Sequence, residues 1–125
     1  MDGACDLPRA FLDAHGSAVM PITVRVDGQR FVDDRAPAEI LRFRDQRLGS
    51  RSHSAETEPS SITDVQNLFL ERMVREYDCV VCLTIMATRS PIHDNVIKAS
   101  FAILKNYRPI REAAGLTGPF LMRVV

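Results

Sequence analysis

Cys79-Val80-Val81-Cys82-Leu83-Thr84-Ile85 is an apolar run without alternation, and Ser90-Pro91 follows it a few residues later. A run of this kind is expected of a strand buried on both faces of a parallel sheet. Ser90 offers a side-chain cap, Pro91 suits the first helical position, and Ile92, Val96, Ala99, Ile103 and Leu104 continue at helical spacing up to Arg108-Pro109. A central strand that passes directly into a helix predicts an α/β fold: a mostly parallel sheet with helices on both faces and right-handed crossovers.

Upstream, Ser61-Ile62-Thr63-Asp64 reads as a capping box with Asp64 in place of the usual Glu, and Ile62, Val65, Leu68, Phe69 and Met73 repeat on one helical face. Gly49 to Pro59 is the longest stretch without pattern and reads as a polar loop. Pro37, Ile40, Leu41 and Leu48, with Gly49 after them, predict a helix whose charged face carries Arg42, Arg44, Asp45 and Arg47. Near the N-terminus, β-branched residues from Ala18 to Val26 predict a strand, and Asp27-Gly28 turns it into a β-hairpin with Gln29 to Val32. Pro21 has no N–H for a ladder and belongs at a sheet edge or strand start. Asp6-Leu7-Pro8, Ala10, Phe11, Leu12 and Gly16 outline a short first helix. Downstream, Arg111 to Ala114 reads as a short helical piece ending at Gly115, and Phe120 to Val125 as the closing strand.

The 125 residues fit one domain, and 46% apolar with 26% charged side chains is ordinary globular usage. Sixteen basic and sixteen acidic residues cancel, so no overall field draws the chain to nucleic acid or anionic lipid. No apolar run approaches the roughly 20 residues of a membrane span. Three cysteines are too few for a disulfide scaffold, which predicts a cytoplasmic protein.

Little in the chain announces catalysis. Cys79 and Cys82 have the spacing of a redox pair, but three residues apart on a strand they face opposite sides, about 10 Å from each other, and read as core packing. His15, His53 and His93 show no metal-ligand spacing and read as surface residues; no metal site and no cofactor are expected. Ser52-His53-Ser54 could meet a ligand, but adjacent serine and histidine do not form a nucleophile and its base. In open parallel sheets, ligands collect where loops leave the carboxyl ends of strands, which here is the Met86 to Ser90 loop. Ser90 and the amides beyond it could receive a carboxylate or phosphate; equally, Ser90 could only cap its helix.

Asp2-Gly3-Ala4-Cys5-Asp6-Leu7-Pro8 resembles the opening signature of the DegV family, and Val19-Met20-Pro21-Ile22-Thr23-Val24, Gly28 and Phe31-Val32-Asp33 resemble its next block. Glu56-Thr57-Glu58-Pro59 stands where the family has Thr-Ser-x-Pro. Met86-Ala87-Thr88-Arg89-Ser90-Pro91-Ile92 stands at its Ser-Ser-x-Leu-Ser-Gly-Thr, and Arg123-Val124-Val125 resembles a strand that runs on into Asp. The resemblance implies that residues 1–125 correspond to an N-terminal α/β domain, a fragment lacking a first strand and a C-terminal domain. It further implies a long-chain fatty acid as ligand, held between two domains and presented to a separate fatty acid kinase. Glu56, Thr57, Met86, Ala87 and Ser90 are the implied ligand-binding positions, with Thr57 and Ser90 the hydroxyls retained in register. A charged Glu56 would repel a fatty carboxylate, so it must point away or meet a different head group.

The first reading is therefore a noncatalytic lipid carrier. An enzyme whose active site is completed by an absent domain, with His53 and Glu56 as acid and base, is the alternative, and an interaction module is the third. An open sheet edge and uncovered apolar surface further predict self-association of the 125-residue chain.

Overall fold

The computed structural model describes residues 1–33, 36–46 and 53–125, and within them the protein forms two compact units, Met1–Pro59 and Ser60–Val125. The fold is mixed α/β.

In the first unit, Met20 pairs in parallel with Asp2 through an isolated bridge, and its N–H donates to the Met1 carbonyl at 2.8 Å. Gly3 lies so close to this segment that a Cβ there would meet the Ile22 side chain at 2.9 Å. Helix α1 (Arg9–Ala14) buries Leu12 and stops at Gly16, whose φ of 58° suits glycine. Pro21 then separates the Met20 bridge from strand β1 (Ile22–Val26), so the strand is shorter than the predicted Ala18 to Val26. The Asp27-Gly28 turn has φ of 48° and 84°, the left-handed pair that a two-residue hairpin requires. It leads into β2 (Gln29–Asp33), antiparallel to β1 with Val24 opposite Phe31.

Helix α2 (Pro37–Asp45) places Phe43 edge-on to Phe31 at 5.9 Å between centroids, while the Arg42 guanidinium stands 4.9 Å from the Phe31 centroid. Arg47, Leu48 and Gly49 of the predicted helix lie outside the described residues. The predicted loop up to Pro59 is corrected by a fifth element, β3 (Ala55–Pro59), which pairs antiparallel with the other edge of β1. All its residues but Pro59 are exposed, so no apolar alternation marks it. Its pairing is carried by backbone bonds and by Arg25, whose guanidinium donates to both Glu58 oxygens at 3.1 and 3.3 Å.

In the second unit, Ser61 caps α3 (Ile62–Leu68): the Asp64 N–H donates to the Ser61 hydroxyl at 3.2 Å, and the Ser61 N–H donates to the Asp64 carboxylate at 3.0 Å. The helix continues through a π-helical turn (Phe69–Met73) into α4 (Val74–Glu76). Strand β4 (Cys79–Cys82) runs parallel to β5 (Leu121–Val124), with Cys79 opposite Leu121 and Cys82 opposite Val124. Between them lies α5 (Ile92–Ala113), which buries Ile92, Val96, Ala99 and Ile103 against a core with Val65, Phe69 and Phe120.

Three expectations are corrected here. Among the described residues the sheets are a three-stranded antiparallel one, ordered β2-β1-β3, and the two-stranded parallel pair β4-β5, in place of the mostly parallel sheet expected. Strand β4 is not buried on both faces: Cys82 is buried and Val80 half-buried, whereas Cys79, Val81 and, across the pair, Leu121 are exposed. Cys79 is thus not core packing, and the two cysteines lie on opposite faces, as the strand period requires. Finally, α5 does not end before Pro109 but runs through it to Ala113. Proline removes one N–H from the ladder there, and Arg111 anchors the last turn beyond it. Its guanidinium, 2% exposed, donates to the carbonyls of Gly118 (2.9 Å), Val74 (3.0 Å) and Tyr77 (2.9 Å) and to the Asp78 carboxylate.

No helix among the described residues is long and apolar enough to cross a membrane, and none of them cluster as a metal-binding group.

Candidate functional site

The Met86 to Ser90 loop leaves the carboxyl end of β4, where strand direction places a ligand site in parallel sheets. It closes as a turn, with the Arg89 N–H donating to the Met86 carbonyl at 2.8 Å. Met86 is 64% exposed, Ala87 is exposed, and neither offers a polar side chain. Ser90 is half-buried, and its hydroxyl oxygen accepts the N–H of Ile92, the first residue of α5, at 3.3 Å, although the N-cap position itself falls on Pro91, one residue later than expected. That bond uses one lone pair and leaves the hydroxyl hydrogen to donate elsewhere. Asn95 braces the same turn by donating from its side-chain amide to the Ser60 carbonyl at 3.0 Å.

Thr84 was not singled out by the sequence and His93 read as a surface residue, yet they meet, half-buried, at this end of the strand. The Thr84 hydroxyl lies 2.9 Å from His93 Nδ1, and both side chains are half-buried. Thr84 also continues the pairing with β5, its N–H donating to the Val125 carbonyl at 2.9 Å. The available signal was a hydroxyl at the end of an apolar strand and an imidazole in the first turn of the next helix.

Glu56 and Thr57 sit side by side on β3 in the first unit, while Met86, Ala87 and Ser90 belong to the second. In the β1–β3 register Thr57 stands opposite Val24 and Glu56 opposite Arg25. Directly paired residues share a face, so Thr57 shares the side of Val24 and Phe31, and Glu56 projects from the other side with Arg25. His53 is half-buried, and its Nδ1 lies 2.5 Å from Asp27 Oδ2. This contact, with the Ser54 N–H beside it, holds the Asp27 carboxyl below its ordinary pKa. His15 is exposed and stacks on Phe11 at 4.1 Å between centroids.

A family model described as "Uncharacterised protein, DegV family" matches residues 1–111. The chain belongs to the DegV family. It is 46% identical over all 125 residues to a DegV domain-containing protein of Xanthomonas axonopodis pv. citri, of which it covers 40%. A fatty acid-binding protein of Thermotoga maritima is 26% identical over 101 residues, 80% of this chain and 35% of that protein. Among solved structures, a DegV lipid binding protein from Thermotoga maritima superposes with a TM-score of 0.75 at 22% identity, covering 99% of this chain and 39% of the other. That likeness shows a shared DegV fold. The chain thus spans about two-fifths of the curated relatives it matches.

Proposed function

We propose that this DegV chain forms part of a larger protein that binds a long-chain fatty acid or related lipid and presents it, as a carrier, to a fatty acid kinase. The observation that carries the reading is family membership over residues 1–111 together with 26% identity to a relative named for fatty-acid binding. In this reading the head group is held at the carboxyl end of β4 by Ser90 and the Met86-Ala87 turn. Within the first unit, the register supports Thr57 as the ligand contact of β3, since it puts Thr57 on the Val24 side and Glu56 on the opposite, Arg25 side. The three cysteines, with no disulfide among them, favour a cytoplasmic setting.

Mass spectrometry of the denatured full-length protein, purified without added lipid, tests the ligand class; a co-purified fatty acid in near-stoichiometric amount is expected. Absence of any acyl ligand, together with no fatty-acid binding tighter than about micromolar on titration, overturns the proposal. Phosphorylation of the bound acid on addition of a fatty acid kinase tests the carrier role.

A further inference from the structure

We infer that His93, held in place by Thr84, is a further head-group contact, and that it presents Nε2–H to a carboxylate; the inference rests on the lipid-binding reading above. Three observations meet here. The loop leaving β4 carries polar side chains at Thr88, Arg89 and Ser90 but none at Met86 or Ala87, the two head-group positions ahead of Ser90, so a donor from the first turn of α5 would supplement the Ser90 hydroxyl there. His93 stands in the first turn of α5, at the same end of the strand, and is half-buried rather than fully solvated. Its Nδ1 is engaged by Thr84, and among the described residues its Nε2 makes no hydrogen bond.

The two bonds open to Thr84 set the tautomer. The Thr84 hydroxyl lies 2.9 Å from His93 Nδ1 and 3.3 Å from the Val125 carbonyl, and that carbonyl already accepts the Thr84 N–H at 2.9 Å. The hydroxyl hydrogen is assigned to Nδ1, the shorter of its two contacts; a 15N spectrum showing the imidazole proton on Nδ1, with the hydroxyl donating to the Val125 carbonyl instead, overturns this assignment and the contact with it. A neutral imidazole whose Nδ1 accepts carries its proton on Nε2, where it is a donor. Thr84 thus acts as a positioning residue: it fixes the ring's rotation and its tautomer, as the partner of a ligand-binding histidine commonly does. A carboxylate head group then receives one N–H from His93 and one O–H from Ser90.

The test uses the full-length protein and oleic acid. His93→Phe keeps the ring's bulk without its donor and is expected to weaken oleate binding about tenfold, the worth of one hydrogen bond. His93→Gln, whose amide can reach the position of Nε2, is expected to recover most of that loss, and Thr84→Val to fall between wild type and His93→Phe. In wild type the 15N resonance of His93 Nε2 is expected to shift on oleate addition, a response that packing alone would not produce. Oleate binding by His93→Phe within twofold of wild type overturns the contact and leaves the lipid reading standing. An Nε2 resonance that oleate leaves unmoved does the same, and decides the matter if the Phe variant does not fold. Wild-type protein that binds no oleate overturns both.

Discussion

Asp27 ties the β1–β2 turn to the residues entering β3: Oδ2 lies 2.5 Å from His53 Nδ1, and Oδ1 accepts the Ser54 N–H at 3.1 Å. The Asp27 N–H in turn donates to the Ser54 carbonyl at 3.1 Å. The hydrogen bond from His53 is the main reason its carboxyl titrates below the ordinary value, with the Ser54 amide second. A depressed folded pKa gives stability that is present above the unfolded value and lost as pH falls through the folded one. The expected outcome is an Asp27 carboxyl resonance that titrates below that of an unstructured aspartate. Asp27→Asn, which tolerates the left-handed turn, is expected to reduce the acid-side slope of the thermal midpoint.

Arg111 is the second test of the fold. Its guanidinium is buried and satisfies the carbonyls of Val74, Tyr77 and Gly118, whereas its carboxylate partner Asp78 has a side chain 83% exposed. Arg111→Met leaves those carbonyls without a donor and is expected to cost about 3 kcal/mol or more in chemical denaturation. Asp78→Asn, by contrast, is expected to cost under about 1 kcal/mol, because one partner of that pair is solvated. Equal losses from the two variants would show that the ion pair, and not the carbonyl cradle, is what matters.

The outer face of β4–β5 carries Val81 at 54% and Leu121 at 59% exposure, with Leu83 and Val125 beside them. Contiguous exposed apolar surface of this kind promotes association. The 125-residue chain is expected to form dimers or larger species by light scattering, and Leu121→Lys to shift it toward monomer. A monomer at high concentration would refute this.

What the sequence made legible was what local chemistry determines. The Ser61–Asp64 capping box, the Asp27-Gly28 hairpin and the start of α2 at Pro37 each depend on a few neighbouring residues, and each forms where the spacing puts it. Strand β3 was not legible, because Ala55–Pro59 is a strand through its ladder to β1 and its Arg25–Glu58 pair rather than through any apolar face. The apolar composition of β4 could not say which face is covered, since that depends on what packs there. The stop at Pro109 failed because Arg111 anchors the turn beyond it. The meeting of Thr84 with His93 depends on how the intervening loop folds back. In the site, the position of the β4 loop followed from strand direction, but its donor set needed the structure.

Ser90 separates a capping role from a ligand role, because the two make different demands on one hydroxyl. Its oxygen accepts the Ile92 N–H at 3.3 Å, a bond at the long end of the range, and its hydrogen is available to a ligand. Ser90→Ala removes both functions at once, so two quantities must be read on the full-length protein. Loss of the cap is expected to lower stability by about 1 kcal/mol in denaturant unfolding. Loss of the donor is expected to weaken fatty-acid binding by about tenfold in addition. Ser90→Gly sharpens the distinction: it is tolerated near a helix start at a cost of a few tenths of a kcal/mol, yet it lacks the hydroxyl. Its affinity should therefore fall as far as that of Ser90→Ala while its stability stays nearer wild type. Full affinity in both variants, with stability lost in the alanine one, would leave Ser90 as a cap and remove it from the head-group site.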